Sequence, residues 1–175
     1  HSIFYRDQGV GETLLCIHGF PTSSFDWRAM WPSLTKHYRV ISLDLLGFGY
    51  SGKPRRNKYS VLQQADIISA LLSSLMIDRT HIFAHDLGDS IAQECLARQE
   101  NNTGQNRFDI QSICFLNGGL FPETHRPRLI QTLLRGPLGH LLAYGLNEKK
   151  FSKSFAEVFG TNTQPGAGDL SDFWH

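Results

Sequence analysis

The residue best placed to do chemistry is an aspartate that stands between a short apolar run and a longer amphipathic stretch. It is Asp86, in the segment Ala-His-Asp-Leu-Gly at 84–88. Small residues two positions before and after allow a strand to turn sharply into a helix, which leaves the residue between them exposed and strained. A carboxylate there is ionised and is stabilised by the helix N-terminus, so it can attack carbon and form an ester. Asp86 could instead only cap the helix, and these five residues do not decide between the two roles.

A second segment offers Asp86 a partner. His-Gly-Phe-Pro at 18–21 follows the apolar run 14–17. It precedes the strand-to-helix turn at Asp86, which we call the elbow, by a strand and two helices. A loop in that place can donate one backbone N–H to an oxyanion, and the residue after the nucleophile donates the other. We therefore predict that the amides of Phe20 and Leu87 form an oxyanion hole, although such a turn taken alone is more often an ordinary loop.

The glycine-rich segment 44–52 also follows an apolar run. It lacks the Lys-Ser/Thr pair of a P-loop and the glycine spacing of a dinucleotide-binding loop. We predict no nucleotide site there, and a structural, hydrogen-bonding role for Asp44.

The order of apolar runs along the chain predicts the elements that position these residues. Short apolar runs alternate with amphipathic ones, which is typical of parallel strands joined by crossover helices. Strands are predicted at 14–17, 39–43, 81–84 and 111–116, and helices at 25–34, 61–75 and 88–99. Beyond 119 the pattern becomes helical, with pieces predicted at 129–134 and 140–146 and a loop at 160–168. The prediction is an α/β fold, a mostly parallel sheet with helices on both faces. No closing strand follows, so we expect a truncated chain.

Composition argues against several classes of function. The chain of 175 residues is 41% hydrophobic with a net charge of +1, which suits one compact core but no nucleic-acid-binding stripe. A solvated loop is the favoured explanation of one cationic cluster, formed by Lys53, Arg55, Arg56 and Lys58. No apolar run approaches the roughly 20 residues of a membrane span. We expect no signal peptide at the start of these residues, but the first residue is His1 rather than Met, so this says nothing of a targeting segment before it.

The three cysteines lie inside apolar runs, are odd in number and form no close pair. We predict buried, reduced thiols at Cys16, Cys95 and Cys114 rather than a disulfide framework.

Together these segments resemble the epoxide hydrolase and haloalkane dehalogenase branch of the α/β-hydrolases. The segments 19–24 and 117–127, with Asp89, are also similar to the mesoderm-specific transcript proteins. The resemblance covers about 14–160. It implies a hydrolase with nucleophile Asp86, an N-terminal part of the hydrolase core at 1–120, and a partial helical cap at 121–175. In animals it also implies association with the endoplasmic reticulum membrane, with a cytoplasmic location as the alternative.

Two departures from that branch narrow the expected reaction. Dehalogenases and many epoxide hydrolases place a Trp after the nucleophile, and in dehalogenases its indole N–H binds the leaving halide. The side chain of Leu87 has no N–H to donate to a halide. Phe20 replaces an Asn that helps to hold halide in some dehalogenases. We therefore expect an epoxide hydrolase-like reaction. A dehalogenase or another carbon–heteroatom hydrolase is one alternative, and a non-catalytic binding protein, favoured by Leu87 and Asp89, is the other.

The remaining catalytic parts are expected elsewhere. The general base should be a His oriented by an acid, and both are expected beyond residue 175, because Asn117 stands where some relatives supply the acid. His85 adjoins Asp86 but is predicted to point to the other side of its strand. Tyr144 is the cap tyrosine available to polarise an epoxide oxygen.

The expected partner is a small apolar electrophilic substrate, not nucleic acid. No metal or organic cofactor is expected. Membrane association of the full-length protein is left open.

Overall fold

The computed structural model describes residues 1–101, 107–119 and 147–174. The chain divides into two compact units, His1–Leu120 and Phe121–His175. The strands are β1 (Tyr5–Gln8), β2 (Thr13–Ile17), β3 (Arg39–Leu43), β4 (Arg79–His85) and β5 (Asp109–Leu116). The helices are a 3-10 turn (Ser24–Trp27), α1 (Trp31–Leu34), α2 (Val61–Ser74), α3 (Leu87–Glu100), α4 (Glu148–Ala156) and α5 (Ala167–Trp174). Within these described ranges, none of the helices has both the length and the apolar character to cross a membrane.

The five strands form one sheet in the order β1-β3-β2-β4-β5. Only β1 runs antiparallel to its neighbour; the other pairs are parallel, so the prediction of a mostly parallel sheet is confirmed. Ile17 at the end of β2 lies opposite Leu43 on one side and Ala84 on the other. The carboxyl ends of the four parallel strands therefore meet at one edge, where ligands of open α/β sheets bind.

Helices cover both faces of this sheet, as predicted, because alternate residues of each strand point to opposite sides. Leu15 and Ile17 pack with Ile68 and Leu72 of α2 and with the buried face of α3. On the other face, a second cluster joins β2 and β3 to the 3-10 turn and α1: Leu14, Cys16, Val40, Trp27 and Trp31. Burying one large apolar side chain contributes about 1.5–3 kcal/mol, so both faces stabilise the edge that carries Asp86.

The predicted strands and the two long helices lie within two residues of the observed ones, but the helix predicted at 25–34 is wrong. The structure has two short pieces there, and Pro32 lies in the first turn of the second. Proline lacks an N–H and its ring collides with the carbonyl four residues earlier, so it starts a helix more readily than it continues one.

Two further differences come from the edges of the sheet. Strand β1 was not predicted, because its residues are mostly polar and all exposed. An ion pair of 2.6 Å between Arg39 and Asp7 links β1 to β3. Cys16 and Cys95 are buried as predicted and all three cysteines are free, but Cys114 is exposed. Cys114 lies in β5, the outermost strand of the described sheet, so its apolar surroundings in sequence do not bury it.

In its described part, the second unit consists of two amphipathic helices. Asn147 caps α4 by accepting the Lys150 N–H at 3.0 Å. Aromatic side chains of α4 and α5 contact one another, with Phe155 against both Phe151 and Phe173. The helical pieces predicted at 129–134 and 140–146, and Tyr144 with them, lie outside the described residues.

Asp44 fixes the loop that follows β3, and its predicted structural role is confirmed by its contacts. The carboxylate is buried; Oδ1 accepts the Ser24 N–H at 2.8 Å and Oδ2 accepts the Tyr50 N–H at 2.7 Å. The Asp44 carbonyl also accepts a hydrogen bond of 2.6 Å from the Ser51 hydroxyl. One side chain thereby ties the 3-10 turn and the glycine-rich loop to the end of β3.

Asp44→Ala is expected to lower the free energy of unfolding by about 2–4 kcal/mol, because the buried Ser24 N–H and the partly buried Tyr50 N–H lose their acceptor. Urea denaturation followed by circular dichroism measures the change. Asp78→Ala removes an exposed carboxylate and should leave the unfolding midpoint unchanged. Equal effects of the two substitutions would contradict the structural role of Asp44.

Candidate active site

Asp86 lies at a sharp turn between β4 and α3. Its φ of 53° and ψ of −112° place a non-glycine residue in a sparsely populated backbone region, at a cost on the order of 1–3 kcal/mol. The Asp86 N–H donates to the Leu116 carbonyl at 3.3 Å, which holds the turn against the end of β5. The strand-to-helix elbow predicted from the sequence is therefore present.

Two glycines allow the elbow and the loop after β2 to come together. A Cβ on Gly19 would lie 2.5 Å from the Asp86 Cβ, and a Cβ on Gly88 would lie 2.9 Å from the His18 carbonyl oxygen. Neither separation is sterically allowed, so a larger residue at either position would push the loop away from the elbow. Gly19 is thus as necessary to the geometry as the small residues beside Asp86.

The two oxygens of the Asp86 carboxylate have different surroundings. Oδ1 accepts the Phe20 N–H at 2.9 Å and the Leu87 N–H at 2.6 Å, so the two predicted amides converge on one oxygen. Within residues 1–101, 107–119 and 147–174, Oδ2 accepts no hydrogen bond. An ordinary N-cap side chain accepts from the second or third amide of its helix. Asp86 accepts from the first and from a loop 66 residues away, an arrangement that helix capping alone does not require.

His18 holds the loop that supplies the Phe20 amide. The ring is fully buried; its Nε2 accepts the Leu45 N–H at 2.9 Å and its Nδ1 lies 2.8 Å from the Gly19 carbonyl. Because Nε2 accepts a hydrogen bond it carries no proton, so the ring is neutral and donates from Nδ1 to that carbonyl; burial acts in the same direction by lowering the pKa of His18. No local sequence pattern indicates the role of this ring, because its partner Leu45 follows it by 27 residues.

His85, the residue before Asp86, faces away from the carboxylate, as its place on the strand predicted. Its Nδ1 lies 3.7 Å from Asp26 Oδ2, and the interaction with Asp26 raises the pKa of His85. Asp26 also accepts a hydrogen bond of 2.6 Å from the Thr22 hydroxyl. The contacts of Asp26 with His85 and Thr22 therefore hold the 3-10 turn in place. Because His85 points towards that turn, β4 supplies no base beside Asp86.

Asp89 lies in the first turn of α3 and is fully buried. Its Oδ1 is 3.4 Å from the Leu116 N–H, while Oδ2 has no hydrogen-bond partner in the described part of the chain. Burial raises the pKa of Asp89 to about 6, and the negative charge of Asp86 adds to the effect. Asp86 and Asp89 thus contact the carbonyl and the amide of the same residue at the end of β5.

The surroundings of the site are aromatic. The exposed Phe20 ring lies edge-on to Phe48 with 6.2 Å between centroids, and Phe48 also contacts the His18 ring. Among the described residues, no group of three or more His, Cys, Asp or Glu side chains could hold a metal ion. Tyr144, predicted to polarise the epoxide oxygen, lies outside the described residues.

Comparisons with known proteins find relatives in sequence. The sequence profile described as alpha/beta hydrolase fold matches residues 12–108, more than half of the chain. The human mesoderm-specific transcript homolog protein is 46% identical over 98% of this chain and 54% of its own length. The chain thus spans about half the length of the curated relatives it matches.

Solved structures are similar as well. An alpha/beta hydrolase fold protein from Burkholderia ambifaria is 25% identical, with a TM-score of 0.76 over 98% of this chain and 60% of that one. The epoxide hydrolase CorEH is 26% identical, with a TM-score of 0.60 over 86% and 52%. The haloalkane dehalogenase DatA from Agrobacterium tumefaciens C58 is 24% identical, with a TM-score of 0.75 over 98% and 57%; at that identity it shows the fold alone.

The buried Asp89 gives stability a definite dependence on pH. Its folded pKa, about 6, lies above the roughly 3.9 of an unfolded aspartate. Its contribution to stability is therefore full below about pH 4 and is lost as the pH rises through about 6. Asp89→Asn stays neutral, so above pH 6 it should unfold with a free energy on the order of 1–3 kcal/mol higher than the parent.

Urea unfolding of the parent and Asp89→Asn between pH 4 and pH 8 measures this difference. The exposed Asp109 supplies the control, because Asp109→Asn makes the same chemical change at the surface. An Asp89→Asn protein that is less stable than the parent at pH 8 would show instead that the fold favours the ionised carboxylate.

Proposed function

The chain belongs to the alpha/beta hydrolase fold family, and from that premise we propose that it is a hydrolase whose nucleophile is Asp86. One observation carries the proposal: two amides hold Oδ1 of this carboxylate, and Oδ2 accepts no hydrogen bond from the described residues. A nucleophilic carboxylate needs one oxygen free to approach carbon and the other fixed so that its orientation is set. The substrate proposed is a small apolar epoxide.

In the first step, Oδ2 attacks an epoxide carbon and the carbon–oxygen bond of the ring breaks. The product is an alkyl ester of Asp86, and the released alkoxide takes a proton. Tyr144 is proposed as the donor that polarises the epoxide oxygen, on the resemblance to epoxide hydrolases. Apolar aromatic side chains beside the elbow, Phe20 and Phe48, suit a substrate of this kind.

In the second step, water attacks the carbonyl carbon of the ester. Negative charge then develops on Oδ1, which already receives the N–H groups of Phe20 and Leu87. Because these donors are in place beforehand, they stabilise the charge without reorganising, and one such donor is typically worth on the order of 10²–10³ in rate. The general base, a His, and its orienting acid are proposed to lie in the longer protein.

The residues around Asp86 favour epoxides over haloalkanes. A leaving halide needs a hydrogen-bond donor, and neither the Leu87 nor the Phe20 side chain supplies an N–H. Both an epoxide hydrolase and a haloalkane dehalogenase are among the similar structures, so the ranking rests on these missing donors. We also infer that 121–175 begins a helical cap, which the division of the chain at Leu120 supports.

Covalent trapping in the full-length protein tests the role of Asp86. Substituting the general-base His should leave alkylation intact but block ester hydrolysis, so an adduct accumulates on the peptide that contains Asp86. Asp86→Asn in the same background should give no adduct, because an amide is a poor nucleophile. Mass spectrometry after incubation with epoxides and haloalkanes measures both.

Asp109 is exposed, and Asp109→Asn in the same His variant is the matched control, which should accumulate as much adduct as the His variant alone. No adduct with any electrophile, from a protein that is folded by circular dichroism, would favour a non-catalytic binding protein. Faster labelling by haloalkanes than by epoxides would favour a dehalogenase.

Leu87→Trp tests the argument about halide. The substitution keeps the Leu87 amide and adds an indole N–H beside Asp86, so we expect alkylation by haloalkanes to rise relative to epoxides, about tenfold if the new hydrogen bond is worth the typical 1–1.5 kcal/mol. Leu87→Phe adds an aromatic ring without a donor. If Leu87→Phe produces the same change, side-chain bulk rather than hydrogen bonding sets the preference.

A further inference from the structure

Asp89 is a buried carboxylate that no ion pair of the described residues neutralises. Its Oδ2 has no hydrogen-bond partner in the described part of the chain. The Gly118 backbone lies so close to this oxygen that a Cβ on Gly118 would collide with it. Backbone therefore encloses the carboxylate and separates it from water, where a negative charge is most stable.

The structural roles open to an aspartate at this position do not need a buried charge. Oδ1 accepts the Leu116 N–H at 3.4 Å, and the carbonyl oxygen of an asparagine side chain would accept the same hydrogen bond. The start of a helix favours a negative charge, but an exposed acid in the first turn of α3 would gain as much. A buried charge that lowers stability beside a reactive group is typical of a functional site.

The group on which this charge acts is Asp86. Asp89 follows it by three residues, and both contact the backbone of Leu116. Burial raises the pKa of Asp89 to about 6, and the negative charge of Asp86 adds to this rise. The Leu116 amide and the charge of His85 at the end of β4 lower the pKa. Asp89 is thus mostly ionised at neutral pH, and because electrostatic interactions are mutual, its charge acts equally on Asp86.

We infer that the ionised Asp89 carboxylate speeds the formation of the Asp86 ester and slows the hydrolysis of that ester. The inference rests on the proposed role of Asp86 as the nucleophile. Asp89 is a positioning residue in the sense that it acts through Asp86 and does not touch the substrate.

In the first step, negative charge leaves the Asp86 carboxylate. Its Oδ2 bonds to the epoxide carbon, the electron pair of the broken ring bond moves to the epoxide oxygen, and that oxygen takes a proton. Repulsion from Asp89 is therefore stronger before the reaction than in the transition state. An interaction that destabilises the starting state more than the transition state lowers the barrier.

In the second step, the charge returns. Water adds to the ester carbonyl carbon and gives a proton to the general base, and negative charge develops on Oδ1 of Asp86. The bond to the alcohol oxygen then breaks, and the alcohol leaves with a proton. Because the charge grows beside Asp89, the same repulsion raises this barrier.

This effect of Asp89 offsets a cost of the oxyanion hole. The N–H groups of Phe20 and Leu87 stabilise the Asp86 carboxylate before it reacts, and an anion stabilised in this way is a weaker nucleophile. Ionised Asp89 opposes that stabilisation. Asp86 thereby keeps two donors for the second step and remains reactive in the first.

Measuring the two half-reactions separately in the full-length protein tests the inference. Alkylation is followed by mass spectrometry as adduct accumulates on Asp86 in the protein whose general-base His is substituted, with the epoxide that labels it fastest. Hydrolysis is followed as decay of the adduct in the protein that keeps this His. At pH 8, Asp89→Asn should slow alkylation and speed hydrolysis, each on the order of three- to tenfold.

The pH dependence of alkylation adds a measurement that a purely structural role would not change. As the pH falls through about 6, Asp89 takes up a proton, so the parent rate should approach that of Asp89→Asn and equal it below about pH 5. His85 also changes charge on this side of neutral pH, but it is present in both proteins, so their difference isolates Asp89. Asp109→Asn, which removes an exposed charge, should match the parent throughout.

Asp89→Ser removes the same charge with a smaller side chain and should have the same two opposite effects, so it serves if Asp89→Asn does not fold. Unchanged rates in the folded variant, or an equal fall in both half-reactions, would overturn the inference and leave Asp86 as the nucleophile. If no epoxide labels Asp86 even in the protein that keeps Asp89, the proposed function fails, and the inference fails with it.

Discussion

The rest of the core is arranged so that two backbone amides can hydrogen-bond to one oxygen of the Asp86 carboxylate. The Phe20 amide comes from the loop after β2 and the Leu87 amide from the start of α3, and both reach Asp86 Oδ1. They can do so because β2 and β4 are parallel neighbours that end at the same edge of the sheet. A side chain on Gly19 would break this approach through direct collision with Asp86.

Several features that hold these two amides are unfavourable taken alone. Asp86 has a strained backbone, His18 is buried with its ring neutral, and Asp89 is a buried carboxylate with a raised pKa. Two of them are compensated locally: the strained turn hydrogen-bonds to Leu116, and the buried imidazole has a partner for both nitrogens. The Asp89 carboxylate is not, because its Oδ2 has no hydrogen-bond partner in the described part of the chain. The structure thus uses stability from the two apolar faces of the sheet to fix one polar turn.

The sequence predicted the parts of this arrangement that local pattern determines. Apolar runs revealed the parallel strands, and small residues around Asp86 with a loop after β2 were enough to place Phe20 and Leu87 beside it. Other features depend on residues far apart in the chain. The contact of Asp89 with Leu116 spans 27 residues, β1 is held by pairing rather than by its own polar sequence, and Cys114 is exposed because of its position in the sheet.

The most direct test of the account follows an oxygen atom through one turnover. The full-length protein, in excess over the epoxide that reacts fastest, is placed in water labelled with the heavy oxygen isotope. If Asp86 attacks carbon and water then attacks the ester carbonyl, the first product carries an unlabelled oxygen from Asp86, and the label appears in the Asp86 carboxylate. Labelled oxygen in the first product, with an unlabelled Asp86 peptide, would mean that water attacks the substrate directly and that Asp86 is not the nucleophile.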